Sequence, residues 1–478
     1  MTAVWILLGI VGLALALLTA ALIHTLLLPT KKSTYAPAPD EKEARALAEK
    51  LAEMVRYDTV SVPETDQREK FLGFHRVLER LFPLVHERLE KTEIDGNLLF
   101  YWKGKSSERP LVLMSHQDVV PAEGEWLRAP FGGDIADGKV WGRGTSDTKC
   151  SLMAFFEAAE QLLAAGFTPP QDVYLSSSCT EEWAGPGCQK LVDALKRRGV
   201  RPWLVVDEGG GIITDPMGGI RGNFAMLGVF EKGKADITFT ARSEGGHAST
   251  PKKNSPLARL ADFVHAVEHG DLFRRRMPPE VAAMFRQLAP YASFPMKFVF
   301  GNLWLFQPVL LRVLPLISAQ AGAMIRTTVA FTMARGSDAC NVMPQEASVS
   351  ANARFIPHQG MEESLDILRK TSHMYGLEMA VAHAADYTKA TDINGEPFRA
   401  VERVIGEVFP GCPACPYVMT GATDARFYQE ICDSVVRFAP VVYGPEQMRG
   451  MHGLNETIAY DCLPGAVAFY KRLIGDMP

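Results

Sequence analysis

The sequence predicts an α/β fold: a domain built on a mostly parallel sheet, interrupted by an inserted α+β unit and preceded by a transmembrane helix. Three observations predict it. Strand-like and helix-like segments alternate through about Asp207, which implies parallel pairing. The alternation breaks near Val229 and returns in the last hundred or so residues, as an insertion would make it do. Finally, no charged residue occurs from Ala3 to Ile23, where Leu, Ala, Val and Ile dominate. About 20 apolar residues suffice to cross a bilayer core of roughly 30 Å as a helix.

Taken in order, residues 1–30 are expected to form a single-pass anchor. A cleaved signal peptide would carry a basic leading region and a shorter apolar stretch, and no Lys or Arg precedes this one. Lys31 and Lys32 follow it, with Glu41 and Glu43 close by, so the side of the membrane is left open. Residues 31–40, with two prolines, read as a linker. The first part of the main domain is expected over 41–228. It opens with an amphipathic helix over Glu41–Val55, followed by the strand LVLMS and the helix Cys150–Ala165, stopped by Gly166. The strand DVYLSSS, the helix Gly187–Arg198 and the strand WLVVD complete it. The inserted unit is placed at 229–384, with alternating strands KADITFTARS and ASVSANARFI and helices Leu257–His269 and Glu362–Tyr375. The domain resumes over 385–478, with helices Phe398–Val408 and Tyr460–Ile474 around the strand VVRFAPVVY. Within the insertion the apolar stretch Phe298–Ile317 holds Pro308, Arg312 and Pro315, which argue against a second span. Buried structure, a dimer surface and a membrane-facing patch stay open as readings of it.

At 478 residues the chain exceeds a single small core. A net charge of -5 leaves no basic footprint, so no nucleic-acid partner is expected. The eight cysteines show no paired metal-knuckle spacing, and Cys412-Pro413-Ala414-Cys415 reads as a loop with two small thiols. The one N-x-[ST] sequon, Asn455-Glu456-Thr457, lies beside His452, where a glycan would obstruct chemistry.

Chemistry is concentrated in five short segments: His116-Gln117-Asp118, the loop Gly142–Lys149, Glu181-Glu182, Asp207-Glu208, and His452. Any one alone has an ordinary structural explanation. Gathered at the carboxyl ends of neighbouring strands, where open α/β sheets bind ligands, they would hold more than one divalent cation. Zinc accepts imidazole nitrogen and carboxylate oxygen, and one carboxylate can bridge two ions. Asp147 suits the bridge because its loop offers glycines and precedes a helix. Asp118 suits the orienting of a ligand, and of Glu181 and Glu182 one can ligate while the other works as a base.

SHQDVVP, GRGTSDTK, the Glu-Glu turn, VVDEGG and the late His-Gly together resemble the di-zinc aminoacylase and carboxypeptidase S family of amidohydrolases. The resemblance covers nearly the whole chain after about residue 40. It is closest to carboxypeptidase S and the N-acyl-amino-acid hydrolase/synthases, through NLWLFQP, AMIRTTVAFT, TGATDARFY and MHGLNE. It implies a zinc-peptidase domain with two Zn2+ per chain, held by His116, Asp147, Glu182, Asp207 and His452. It implies Asp147 as bridge, Glu181 as general base and Asp118 as orienter. The insertion becomes a lid through which a homodimer forms, bearing His247 for the oxyanion, often in the partner subunit's site. Asn341 and Arg354 are implied to hold a substrate carboxylate.

Two departures stand out. The family's aspartate before the Glu-Glu pair is Thr180 here, and either member of Asp207-Glu208 can be the ligand, with Asp207 preferred from the resemblance. Gly421 and Thr423 either shape a pocket or form a turn. The expected activity is hydrolysis of N-acyl amino acids or short peptides with a free carboxylate, by metal-activated water with Glu181 as base. The rivals are a dipeptidase or carboxypeptidase on short peptides, and a metal-free membrane-anchored binding protein.

Overall fold

Eight strands form one mixed sheet in the computed structural model, which describes residues 2–63, 65 and 67–477. In spatial order they are Glu90–Ile94, Asn97–Trp102, Gln171–Ser177, Ser106–Met114, Leu204–Thr214, Val435–Tyr443, Asn223–Glu231 and Ala414–Met419. The centre is parallel, with Ser106–Met114 between Gln171–Ser177 and Leu204–Thr214, and Val435–Tyr443 beside the latter. The sheet is less parallel than expected because one end opens with a hairpin. Asp95 and Gly96 both hold positive φ (49° and 87°), the two-residue turn that joins strands only antiparallel.

Strand alternation divides the apolar side chains between two cores. Leu111 and Leu113 face the larger core, under the helices Glu41–Arg56, Cys150–Ala164 and Leu463–Gly475. Val112 and Met114 face a smaller one, under Gly187–Arg197 and Ala425–Tyr428. Both faces are thus covered, as buried parallel strands require.

The insertion has a separate antiparallel sheet, ordered Thr328–Arg335, Glu346–Phe355, Gly233–Arg242 and Glu378–Ala385. It has its own core, in which Ile237 and Phe239 pack with Phe263 and Leu368 from the helices Pro256–His269 and Gly360–Met374. Residues 277–325, counted with the insertion from sequence, instead send Val281, Phe285, Phe300, Leu310 and Leu314 into the larger core. That stretch is helical: Pro279–Leu288, then Phe294–Gly301 and Leu303–Ile317, the last two meeting at 108°.

The N-terminal helix Thr2–Leu27 is long and apolar enough to cross a membrane, and its span is almost wholly exposed. Its last turns lie against the bent pair. Asn302 Nδ2 donates to the Ala21 carbonyl (3.1 Å) and Thr25 Oγ1 (2.8 Å), and Lys297 Nζ donates to the Leu28 carbonyl (2.7 Å) and Thr30 Oγ1 (2.8 Å). Gly301 permits the approach, since a Cβ there would lie 2.5 Å from Leu28 Cδ1. All eight cysteines are free; Cys412 and Cys415 are buried.

Candidate metal centre

Parallel pairing between Ser106–Met114 and Leu204–Thr214 ends at Leu113 and Val206. His116 and Glu208 follow within three residues on each strand, so the topology carries both to one sheet edge. Gln171–Ser177 delivers Glu181 and Glu182 to the same edge. Asp147 arrives from a tight π-turn, Thr145–Lys149, entered through Gly144 at φ 87°. A side chain at Gly144 would be strained and would meet Val119 at 2.7 Å. His452 comes from the far end of the chain, itself at φ 54°.

These residues form two groups that share one carboxylate. His116 Nε2 lies 3.2 Å from both Asp147 Oδ1 and Glu208 Oε1. His452 Nε2 lies 3.0 Å from both Asp147 Oδ2 and Glu182 Oε2. Within each group the three donor atoms are all within 4.8 Å of one another. One imidazole nitrogen and two carboxylate oxygens per group is a donor set suited to a divalent cation with an open fourth position.

The surrounding bonds hold these donors in place. His116 Nδ1 faces the Asp118 main-chain carbonyl at 2.9 Å, so Nδ1 carries the proton and Nε2 is left to ligate. The Asp118 carboxylate stands farther from the ring (3.4 Å) and accepts from Ser61 Oγ (2.6 Å) and the Glu181 and Glu182 amides (3.2 Å each). One buried aspartate thereby fixes both the histidine and the Glu-Glu turn.

A second anchor, Glu456, escaped the sequence reading. It is fully buried, and its Oε1 accepts from the Ser146 and Asp147 amides (2.8 and 3.0 Å). Its Oε2 accepts from the Gly144 amide (3.0 Å) and Arg143 Nη1 (2.8 Å). The only sequence signal was its place inside MHGLNE.

Asp207 is not gathered into either group. Successive side chains on a strand point to opposite faces, and Glu208 is the one turned to His116. Asp207 Oδ1 accepts from the Glu208 amide (2.8 Å), and its Oδ2 is buried without a partner. Of the two, Glu208 rather than the preferred Asp207 is grouped with His116 and Asp147. The Thr180 hydroxyl accepts from the Gly187 amide at 2.8 Å. A further buried carboxylate that acts on Glu181 from another segment is Asp424, which accepts from Ser178 Oγ.

Without cations the centre carries strongly displaced acidities. Burial pushes Glu208 up to about 8 and holds Glu181 well above the carboxylate range, with Glu208 and Asp424 adding to the latter. Asp147 goes the other way: burial opposes its charge, but His116 and His452 overcome that and hold it well below the ordinary value. His116 is held well above its usual range by Glu208, Asp118 and Asp147 despite full burial. His452 is pushed up to about 10, chiefly by its bonds to Asp147 and Glu182. Crowded carboxylates that recruit protons onto histidines are a charge arrangement that cations would relieve.

A cavity of about 500 Å³ opens on the centre, lined by Asp147, Glu181, Glu208 and His452 with Tyr417 and Thr423. Thr423 therefore shapes the pocket, whereas Gly421 does not line it. The three residues expected on the insertion lie elsewhere. His247 is exposed, its Nδ1 at 2.7 Å from Ser249 Oγ, and Asn341 is exposed nearby. Arg354 is half-buried, donates from Nε to Asn352 Oδ1 (2.8 Å), and has a buried Nη1 without an acceptor.

The family model for peptidase family M20/M25/M40 matches residues 112–476. An N-fatty-acyl-amino acid synthase/hydrolase of Xenopus tropicalis is 33% identical over 97% of this chain and 93% of its own length. A probable carboxypeptidase S-like protein of Dictyostelium discoideum is 31% identical over 90% and 84%. Among solved structures, an M20 family metallo-carboxypeptidase from Sulfolobus solfataricus aligns with a TM-score of 0.67 at 17% identity, covering 91% of this chain and 99% of that one.

Proposed function

Because the chain belongs to peptidase family M20/M25/M40, we propose that it is a zinc-dependent amidohydrolase that cleaves N-acyl amino acids, or short peptides, carrying a free carboxylate. One observation carries this reading: the two oxygens of Asp147 face different histidines, each with a further carboxylate beside it. His116, Asp147 and Glu208 would hold one cation, and Asp147, Glu182 and His452 the other. A pair of zinc ions there supplies carbonyl polarisation and acidification of a water. Glu181 lines the same cavity without ligating. A carboxyl held high by burial is a stronger base than an exposed glutamate, as proton transfer from water to the leaving amine needs. Asp118 keeps the His116 ring and the Glu181 backbone in register for that transfer.

Arg354 and Asn341 hold the substrate carboxylate in this reading, and the acceptor-free Nη1 of Arg354 supports it. His247 serves the oxyanion from the inserted unit of a partner chain, or after that unit closes over the cavity. The relatives named for N-fatty-acyl-amino acids favour acyl substrates, and those named carboxypeptidase S-like favour peptides. Parallel assays of an N-oleoyl amino acid and an N-blocked dipeptide decide between them. The test of the mechanism is Glu181→Ala, which should keep about two zinc ions per chain yet lose nearly all turnover. Near wild-type hydrolysis by that variant would remove Glu181 from the role. A chain that takes up no metal after zinc-replete expression would instead favour a binding protein of the same fold.

A further inference from the structure

A second cavity, of about 740 Å³, lies beneath the bent helices Phe294–Gly301 and Leu303–Ile317. It shares Asp215, Pro216, Met226, Gln320 and Tyr417 with the cavity over the metal centre, so the two adjoin. The rest of its wall is mainly apolar, with Met284, Phe300, Leu310 and Leu314 among its residues. Ile317 lines it and is still 70% exposed, which marks an opening at the surface.

The helix Leu303–Ile317 has two apolar stripes. Leu310, Leu314 and Ile317, at helical spacing, face the cavity. Val309, Val313 and Leu316 form the neighbouring stripe and face outward, Leu316 at 83% exposure, with Trp304 and Phe294 also exposed. A helix apolar on both its inner and outer faces is built for a nonaqueous neighbour. Only two charges occur over 294–317: Lys297, buried and turned to the N-terminal helix, and Arg312, exposed at the flank where a long side chain can reach water.

The N-terminal helix identifies that neighbour. It touches the body from Ala21 onward, through Asn302 and Lys297. Residues 2–20 stand clear, and at 1.5 Å per residue they measure roughly 28 Å, close to a bilayer core of roughly 30 Å. The bilayer boundary then falls at Ala21, the level of Asn302, one residue before the helix Leu303–Ile317 begins.

We propose that the outer stripe of Leu303–Ile317 lies in the bilayer surface, and that the second cavity opens there to take the acyl chain of the substrate directly from lipid. The proposal rests on the amidohydrolase reading above for its substrate, and on the helix geometry alone for its membrane contact. The exposed Trp304 ring, at the start of that helix, suits the headgroup level.

The test uses the full chain, zinc-loaded, in phosphatidylcholine vesicles. The triple variant Val309→Glu, Val313→Glu, Leu316→Glu changes residues that line neither cavity. It should turn over vesicle-held N-oleoyl amino acid at least about tenfold more slowly, with the rate on water-soluble N-acetyl amino acid unchanged. A spin label on Leu316→Cys, in a Cys340→Ser background, should become protected from a water-soluble relaxer only when vesicles are present. A label that stays water-accessible, or a triple variant with wild-type turnover of the vesicle-held substrate, overturns the proposal. So does a label protected without vesicles together with a change in oligomeric state, which would make the stripe a contact between copies. A wild-type chain that hydrolyses neither substrate would sink the amidohydrolase reading, while the label would still decide membrane contact.

Discussion

Glu456→Gln preserves the shape of the buried side chain and removes its charge, and it should damage both stability and metal binding. In the wild type the carboxylate accepts four bonds, from the Ser146, Asp147 and Gly144 amides and from Arg143 Nη1. An amide can present only one oxygen, so one pair of donors must face an NH2 group. With the oxygen left toward Ser146 and Asp147, the Gly144 amide and Arg143 lose their acceptor. Arg143 is 3% exposed and retains the Gly453 carbonyl at 2.8 Å, with Pro121 O longer at 3.4 Å. Breaking a buried charge pair costs about 3–5 kcal/mol, and the retained carbonyl puts this case at the lower end. The stranded Gly144 amide adds about 1–3 kcal/mol, for an expected total of about 4–6 kcal/mol. The Asp147 turn hangs on the same carboxylate, so zinc affinity should fall about 10- to 100-fold. Urea titration of detergent-held protein in chelator reads the first quantity, and competition with a chromophoric chelator the second. A double-mutant cycle with Arg143→Met should return a coupling of more than about 1 kcal/mol. A loss below about 1 kcal/mol with unchanged zinc affinity would refute the assignment of Glu456 as the anchor of that turn.

Further outcomes follow from the site and its surroundings. Glu208→Gln should lower bound zinc from about two ions per chain to about one, while Asp207→Asn keeps both; equal loss from the two variants would contradict the strand alternation argued above. Arg354→Ala should reduce kcat/KM by about 100-fold, chiefly through KM, with Arg354→Lys restoring only part, because a lysine lacks the planar fork; unaltered KM would remove the residue from carboxylate binding. Chelation of the metals should lower unfolding stability by about 4 kcal/mol per site at free zinc a thousandfold above Kd, seen as a fall in Tm. His75 is buried against Gln117 Oε1 at 3.0 Å, and burial lowers its pKa to about 4. The fold therefore favours neutral His75, and its stabilisation is present above pH 6.5 and lost as pH falls from about 6.5 to about 4. The loss should reach about 3 kcal/mol, and His75→Gln should flatten that stretch of the Tm profile.

The strand VVRFAPVVY was legible to the residue, Val435–Tyr443, because its two Val-Val pairs with Phe438 and Tyr443 favour a strand despite Pro440. Likewise Cys150–Ala164 stopped where Gly166 takes the left-handed conformation. The helix Leu303–Ile317 was not legible. Pro308 and Pro315 count against it locally, yet burial of Leu303, Leu310 and Leu314 outweighs that penalty. At the site, residue types and order were enough to nominate His116, Asp147, Glu182 and His452, which the fold brings together. Order along the chain was not enough to choose within Asp207-Glu208, since which of two adjacent residues faces a neighbour depends on strand register. Glu456 was hidden for a different reason. It contacts backbone amides some 310 residues earlier, and such a role leaves no mark on its own neighbourhood.

The docking of the N-terminal helix bears on how this protein can be handled. Asn302 and Lys297 spend their hydrogen bonds on Ala21, Thr25, Leu28 and Thr30, and Gly301 is small so that Leu28 can nestle against it. A preparation trimmed before residue 31 to aid solubility would uncover that seat next to the outward stripe of Val309, Val313 and Leu316. The freshly bared ground would be sticky, and two trimmed molecules would offer it to each other. Clumping or sluggishness in such a preparation would report a missing piece of its architecture, with the chemistry intact. A trimmed form meant for crystals or screening should therefore carry polar replacements on the stripe, or keep the helix and be studied in a nanodisc.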